Sequence, residues 1–446
     1  MIKFPILDSS PVEHDAPLPD AADVVVIGAG VVGVMTAWEL ARQGQKVVLL
    51  EKGRVACEQS SRNWGWIRAQ GRDPAELPIV MEARQMWRVM AAEAGEDIGL
   101  RTSGVAYLAR REKDLADYEA WMPYARDAGL DTRMLTRAEA ADLMPSQKWA
   151  GAMYTASDMK AEPWLAVPAM ARAAARAGVM IRENCAVRGL DIAAGRVVGV
   201  VTEAGRIAAD RVVLSGGAWS SLFLRRHGIS IPQLSVRATV AATTPLPEVF
   251  AGGGVDDQIA FRHRADGGYS LAAGGFHELF IGPDAVRALP KFLKQLAKDP
   301  FGTRYKLCAP KGYPDAWTTP RNWSDDEASP FEVMRILNPA PNLRKVEDVR
   351  QKFVESFPQL GEVKIATAWA GMIDTMPDMV PIVDHVPNLQ GLTLATGMSG
   401  HGFGIGPGIG RVTAQLVNGQ TPSHDLTRFR FDRFTDGSPI CMGPSL

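Results

Sequence analysis

The chain is poor in cysteine, with four in 446 residues, at positions 57, 185, 308 and 441. They are widely spaced. No C-x-x-C pair and no Cys/His cluster occurs, so neither a zinc site nor a disulfide framework is indicated, and no metal is expected. Net charge is also lacking. Lys+Arg at 49 and Asp+Glu at 50 leave a formal charge of −1, with no overall electrostatic footprint for nucleic acid or an anionic membrane. The longest apolar run is broken by glycines and carries Glu39, so no transmembrane segment is expected. No repeat with a period of roughly 20–50 residues and no low-complexity tract occurs. The opening MIKFPILDSSPVEHDAPLPDAAD has no apolar core flanked by basic residues. Residues 1–22 therefore read as an extended, Pro-rich arm rather than a signal peptide, and a reducing cytoplasm is the expected location.

What is present is an ordinary globular composition, 46% hydrophobic and 22% charged. The chain is longer than one core usually supports, so two domains are expected. Its most informative stretch is DVVVIGAGVVGVMTAWELARQGQKVVLLE, Asp23 to Glu51. Val24 to Ile27 is short, apolar and β-branched, as a buried strand requires. Gly28, Gly30 and Gly33 form G-x-G-x-x-G, a helical pattern follows, and a second apolar strand ends on Glu51. Gly28 allows the sharp turn, Gly30 the approach of a pyrophosphate, and Gly33 close helix–strand packing. The phosphates would sit on N–H groups at the helix N-terminus, and Glu51 would accept the ribose hydroxyls. A 2′-phosphate is disfavoured, because Glu51 would repel it. The motif by itself leaves FAD and NAD open.

Further along, NWGW (Asn63 to Trp66) lies in a loop rich in Ser, Arg and Gly, where indoles can line a flat ring or fill a core. Helical spacing covers Pro78–Glu93, Glu112–Ala128 and Arg137–Leu143. A helix from Pro163 to Arg176 and a strand near Val179 resume the opening style. RVVLSGG, Arg211 to Gly217, is another buried strand ending in glycines. The nucleotide-binding pattern thus recurs after an insertion. Leu234–Thr243 and Tyr269–Ala273 read as antiparallel strands, and AFRHRADGGYSLAAGG as a hairpin. Ala285–Lys298 reads as a helix and Phe301–Asn322 as loop. Leu392–Ala395 is a strand, followed by glycines at 397, 400, 402, 404, 406, 408 and 410. So many alternate glycines are expected to let backbone approach a ligand rather than pack a core, with a helix starting near Ile409.

Four separated stretches together resemble the D-amino-acid oxidase superfamily of FAD enzymes, which includes glycine oxidase, sarcosine oxidase and bacterial D-amino-acid dehydrogenases. They are the opening motif through Lys52, the helix and strand leading to Val187, RVVLSGGAWS, and GMIDTMPDMVPIVD with LATGMSGHGFGIGPGIGR. The resemblance implies a mixed α/β and α+β fold. An FAD-binding, Rossmann-like domain of the glutathione-reductase type would carry an inserted antiparallel-sheet substrate domain. Residues 23–104, 162–228 and 345–430 would form the first, 105–161 and 229–344 the second, and 431–446 a tail. Gly28, Ala29, Gly30, Val31, Val32, Gly33, Glu51 and Lys52 would hold the ADP half. Ser60, Ser61 and Arg62 would lie near the pyrophosphate and ribityl chain, and Asn63, Trp64, Gly65 and Trp66 along the ring. Val187, Gly216, Gly217 and Trp219 would make further cofactor contacts, with Gly400, His401, Gly402, Phe403 and Gly404 at the pyrimidine end.

Two departures from the monomeric sarcosine oxidases bear on chemistry. Gly371 stands where they carry a flavin-tethering cysteine, so non-covalent FAD is expected. Gly404 stands where they carry a lysine used in oxygen activation, which leaves the electron acceptor open between oxygen and a quinone. The implied reaction is oxidation of an amino acid or secondary amine, by hydride transfer from Cα to flavin N5, with the imine hydrolysed to a 2-oxo acid. A 2-hydroxy acid substrate, or a flavoprotein subunit of a larger amine dehydrogenase, remain alternatives, with room for a homo-oligomer. The substrate carboxylate calls for an arginine fork, for which Arg262, Arg264 and Arg68 are candidates. His401 and Trp66 could contact flavin or substrate, and Tyr269 and Trp369 could wall the pocket or pack the core.

Overall fold

The computed structural model describes residues 4–298 and 302–443. The first and last three residues of the expected terminal segments, and Phe301 of the expected loop, lie outside the described residues. Two large sheets carry the architecture. The first has six strands in the order Ile382–His385, Leu392–Thr396, Val212–Leu214, Val24–Ile27, Val47–Leu50, Met180–Arg182. All neighbours pair in parallel except the first two. Val24–Ile27 is central and buried along its whole length, which is why it reads as an unbroken apolar run rather than an alternation.

The second sheet has ten strands and is mainly antiparallel. Leu234–Thr243 is its axis, with Tyr269–Ala272 and His277–Phe280 pairing in succession along one edge, at residues 240–242 and 236–237. The expected α/β layer with an inserted antiparallel sheet is therefore the observed fold. One strand falls on the other side of the expected boundary. Ile365–Thr375, placed with the nucleotide-binding segments, pairs over its length with Leu234–Thr243. Pattern alone cannot assign a strand to a sheet, because the choice rests on partners remote in sequence. Thr303–Lys306, expected as loop, is a strand beside His277–Phe280. The N-terminal arm lies against the body. Ile6 is buried with Cys57 and Ile336, and the Glu183 carboxylate accepts the N–H groups of Glu13 and His14. Among the described residues, no helix is long and apolar enough to cross a membrane.

The glycine-rich tail departs furthest from expectation. Its helix begins at Gly402, not near Ile409, and runs to Val417. Glycines 404, 406, 408 and 410 are buried within it. A Cβ at Gly406 would lie 2.8 Å from Val31, and one at Gly410 would lie 2.6 Å from Met35 Cβ and 2.8 Å from Thr36 N. One at Gly408 would meet Ile79 O at 2.6 Å. The helix is thus wedged between Val31–Arg42 and Leu77–Ala94, with Gly406 and Gly410, four apart, facing the same neighbour. Glycines 406, 408 and 410 are core packing after all. Each costs a helix roughly 1 kcal/mol relative to alanine, which close backbone contact offsets. Gly410→Ala should lower stability by about 1–3 kcal/mol, because the added methyl meets backbone rather than a movable side chain. Chemical denaturation of the purified variant measures it.

Candidate functional site

The turn after Val24–Ile27 is built as its glycines predict. Gly28 has φ +99°, and a Cβ there would strike Ser215 O at 2.6 Å. A Cβ at Gly33 would strike Gly28 O at 1.9 Å. Val34 N–H makes the first intrahelical bond, to Gly30 O, so the preceding N–H groups are left for other partners. Ser60 Oγ takes that of Val31, at 2.9 Å. Glu51 accepts from Ala29 N at 2.9 Å and Gly53 N at 2.8 Å, one bond on each oxygen. Each oxygen retains a lone pair for a further donor. Burial raises the Glu51 pKa, partly countered by Lys52.

This turn opens into a cavity of about 680 Å³ that runs from one sheet to the other. One end is lined by Gly28, Gly30, Val31, Val32, Glu51 and Lys52, the middle by Ser60, Arg62, Asn63, Trp64 and Trp66. Val187, Gly216, Gly217 and Trp219 join the first end, Gly371 and Gly400 to Gly404 the other. Buried Asp374 ties these walls together. Its carboxylate accepts Gly397 N at 2.8 Å and Met398 N at 3.2 Å, just before the glycine helix. Burial pushes its pKa up to about 6.

The far end is cationic. Arg68 and Arg72 both line the cavity. Arg68 donates to Gln70 O and lies 5.1 Å from the Tyr107 ring centre. Arg72 is 4% exposed, and its Nη1 has no hydrogen-bond partner. Burial, then the Arg68 charge, lowers its pKa to about 9. His401, also on the wall, places Nδ1 3.0 Å from the Glu76 carboxylate. Burial and the Arg72 charge push the imidazole down to about 4. Burial would raise Glu76, but His401, Arg72 and Arg68 outweigh it and hold that pKa low. At neutral pH the pair is thus a carboxylate and a neutral imidazole that donates from Nδ1, leaving Nε2 as an acceptor.

The family described as "FAD dependent oxidoreductase" (DAO) matches residues 23–416. The chain belongs to this family. The L-amino acid deaminase of Proteus myxofaciens, solved with anthranilate, superposes with a TM-score of 0.90 at 32% identity, covering 96% of this chain and 97% of that one. Glycine oxidase of Geobacillus kaustophilus is 27% identical, over 92% of this chain and 97% of its own. Human mitochondrial sarcosine dehydrogenase is 26% identical over 94% of this chain, which spans 42% of that relative's length.

The cofactor of this oxidoreductase is FAD. The residues fit it: glycines leave a cradle at the turn, where a Cβ at Gly30 would lie 2.9 Å from Ser60 Oγ. The buried Trp66 Nε1 beside the cavity has no partner. Some expected residues support the site without lining it. Ala29 acts through its N–H to Glu51, and Gly33 packs on Gly28. Ser61 is fully buried, and Gly65 faces Ala161 O. Arg62 does line the cavity, but spends its guanidinium on Cys57 O, Asn338 Oδ1 and Ala370 O.

The hairpin arginines require correction. Arg262 and Arg264 are absent from the cavity wall. Arg262 is 1% exposed and forms two 2.8 Å bonds to the Glu162 carboxylate. Arg264 is paired with Asp266 and also donates to Thr243 O and Tyr269 O. Arg262 lies on the strand Ala260–His263 and Arg264 just past its end, and each fork is already filled by a protein carboxylate. Tyr269 and Trp369 are core residues, bonded to Val249 N and Arg62 O. Sequence reasoning missed Arg72, Glu76 and Asp374. The first two follow the NWGW loop in GRDPAE, and Asp374 sits in GMIDTMPD, so the stretches were flagged while the residues were not.

Two outcomes follow. Glu162→Ala strands a buried guanidinium and should cost about 3–5 kcal/mol, whereas cofactor affinity changes little. Denaturation and flavin titration separate the two. His401 has a native pKa of about 4 against 6.5 for an ordinary imidazole. Between those values the unfolded chain binds more protons, so its contribution is present above pH 6.5 and lost as pH falls through about 4. His401→Gln should therefore flatten the fall of Tm with acid over that window, read by thermal melts at stepped pH.

Proposed function

We propose that this oxidoreductase oxidises an amino acid at its Cα–N bond, giving an imine that water hydrolyses to a 2-oxo acid and ammonia. The observation that carries this reading is the pair Arg68 and Arg72 on the cavity wall, the second buried with an unpartnered Nη1. A buried cation with a free donor calls for an anion, and a carboxylate suits the guanidinium fork.

The Gly28–Gly33 turn and Ser60 would hold the pyrophosphate, Glu51 the ribose, and Val187 the adenine side. Asn63 to Trp66 and Gly400 to Gly404 would border the ring. FAD supplies a two-electron, hydride-accepting oxidant when bound. Gly371 offers no nucleophile, which favours a non-covalent cofactor. The N-terminus of the Gly402–Val417 helix favours negative charge beside it, by roughly 0.3–1 kcal/mol. Arg68 and Arg72 fix the substrate carboxylate, which orients Cα. His401 Nε2 accepts a hydrogen bond from the substrate nitrogen, with Glu76 fixing the tautomer. Gly404 lies 3.3 Å, measured from its ideal Cβ, from Trp66 O, and Trp87 Nε1 donates to its carbonyl at 3.0 Å. A side chain there would sit tightly against that backbone, and glycine places no cation on the cavity wall, which supports an acceptor other than oxygen.

The test is anaerobic flavin reduction across D- and L-amino acids, N-methyl amines and 2-hydroxy acids. Bleaching by one amino-acid series, with slow return of colour in air, is expected. Reduction by hydroxy acids alone overturns the reading. Arg68→Ala should raise KM about 10–100-fold with flavin retained, the loss of one or two charge-assisted hydrogen bonds. Steady-state kinetics with a dye acceptor measures it.

A further inference from the structure

The helix Pro283–Lys298 has a division of faces that the reaction does not use. Asp284, Ala288 and Phe292 are buried, four residues apart, and anchor it to the sheet. Val286, Leu289 and Leu293 are exposed, at 57%, 48% and 57%. At 100° per residue these three fall within one narrow stripe, and Pro290 and Ala297 extend it. Arg287, Lys291, Lys294 and Lys298 fall together on the opposite flank of the exposed surface. The helix surface is thus divided into buried, apolar and basic sectors. Isolated exposed leucines are ordinary, but a sorted stripe is not.

Two further exposed apolar side chains border the same helix. Ile281, just before it, donates to Lys306 O, and its carbonyl accepts Trp317 Nε1 at 3.0 Å. This brings Leu307, 90% exposed, and Trp317, 56% exposed, to its N-terminal end. From 285 to 311 the sequence holds seven basic residues (Arg287, Lys291, Lys294, Lys298, Arg304, Lys306, Lys311) and one acid, Asp299. The near-zero net charge of the chain hides this local excess. On the inner side, Gln295 and Thr303 line the cavity, so this surface and the cavity share a wall.

We infer that Pro283–Lys298, with Leu307 and Trp317, docks this protein on the surface of an anionic phospholipid bilayer. The apolar stripe enters the headgroup boundary and the lysines meet lipid phosphates. Low mean hydropathy, a sorted apolar face and a basic flank are the marks of a helix that lies in the interface rather than spanning it. The basic flank favours this occupant over a second copy of the chain, whose same surface would present the same positive charge.

The test is co-sedimentation of the flavin-loaded full chain with phosphatidylcholine vesicles and with vesicles also containing phosphatidylglycerol. Binding to the second, weak binding to the first and release by salt are expected. Val286→Ser/Leu289→Ser/Leu293→Ser should reduce the bound fraction about tenfold, with flavin absorbance and Tm unchanged. Lys291→Glu/Lys298→Glu should do the same and abolish the preference for anionic lipid. A chain that stays in the supernatant with both vesicles overturns the proposal. So do variants that bind like the parent. A serine variant that splits a dimer, with no vesicle binding by the parent, assigns the face to a second copy instead. The outcome is independent of the substrate, so it stands apart from the flavin-reduction test.

Discussion

The close contact between the Gly402–Val417 and Val31–Arg42 helices is the constraint on which the site depends. The dinucleotide turn precedes one helix, and the residues bordering the far end of the cavity precede the other. Their relative position is set by glycines that remove side chains from the interface. At Gly406 and Gly410 the neighbour is Val31 and Met35, in the first and second turns of the first helix. A methyl at either place would force the helices apart and widen the cavity. Packing density and cofactor geometry are therefore one property of this fold.

Around that contact, buried carboxylates are spent on backbone N–H groups. Glu51 fixes the turn, Asp374 fixes the 397–398 strip, and Asp158 accepts Ala69 N at 2.8 Å beside the NWGW loop. Glu183 takes Val55 N at 2.7 Å as well as the arm. Loops that line a cavity have no ladder to satisfy their N–H groups, and a carboxylate supplies the missing acceptor. Arg72 stands out because its unfilled donor belongs to a buried cation on the cavity wall.

Local features were legible in the sequence, and assignments between remote segments were not. Asp23 to Glu51 could be read residue by residue, because strand, turn, helix and terminal acid all lie within one stretch. The hairpin was equally readable, from its Asp-Gly-Gly turn. What its arginines do was not, since Glu162 lies a hundred positions away and nothing in AFRHR announces it. The alternate glycines suggest a ligand-facing loop, and Gly400, Gly402 and Gly404 do line the cavity. From Gly402 onward they belong to a helix, and those at 406, 408 and 410 pack on its neighbours, because glycine spacing is ambiguous until a partner surface is present. Arg72 and Glu76 were overlooked for a similar reason, as their place beside His401 is created only when the chain's two ends meet.

The meeting of those ends has a consequence for synthesis. The strand Val24–Ile27 needs Val47–Leu50 and Val212–Leu214 on its two sides, and the Val31–Arg42 helix needs the helix at 402–417. A ribosome that has made the first half of this chain has made an apolar layer whose lid does not yet exist. The nascent protein must keep Val31, Met35 and their neighbours from other surfaces until nearly the last helix emerges. The complete cavity, lined from Ile27 to Gly404, therefore exists only in a nearly finished chain.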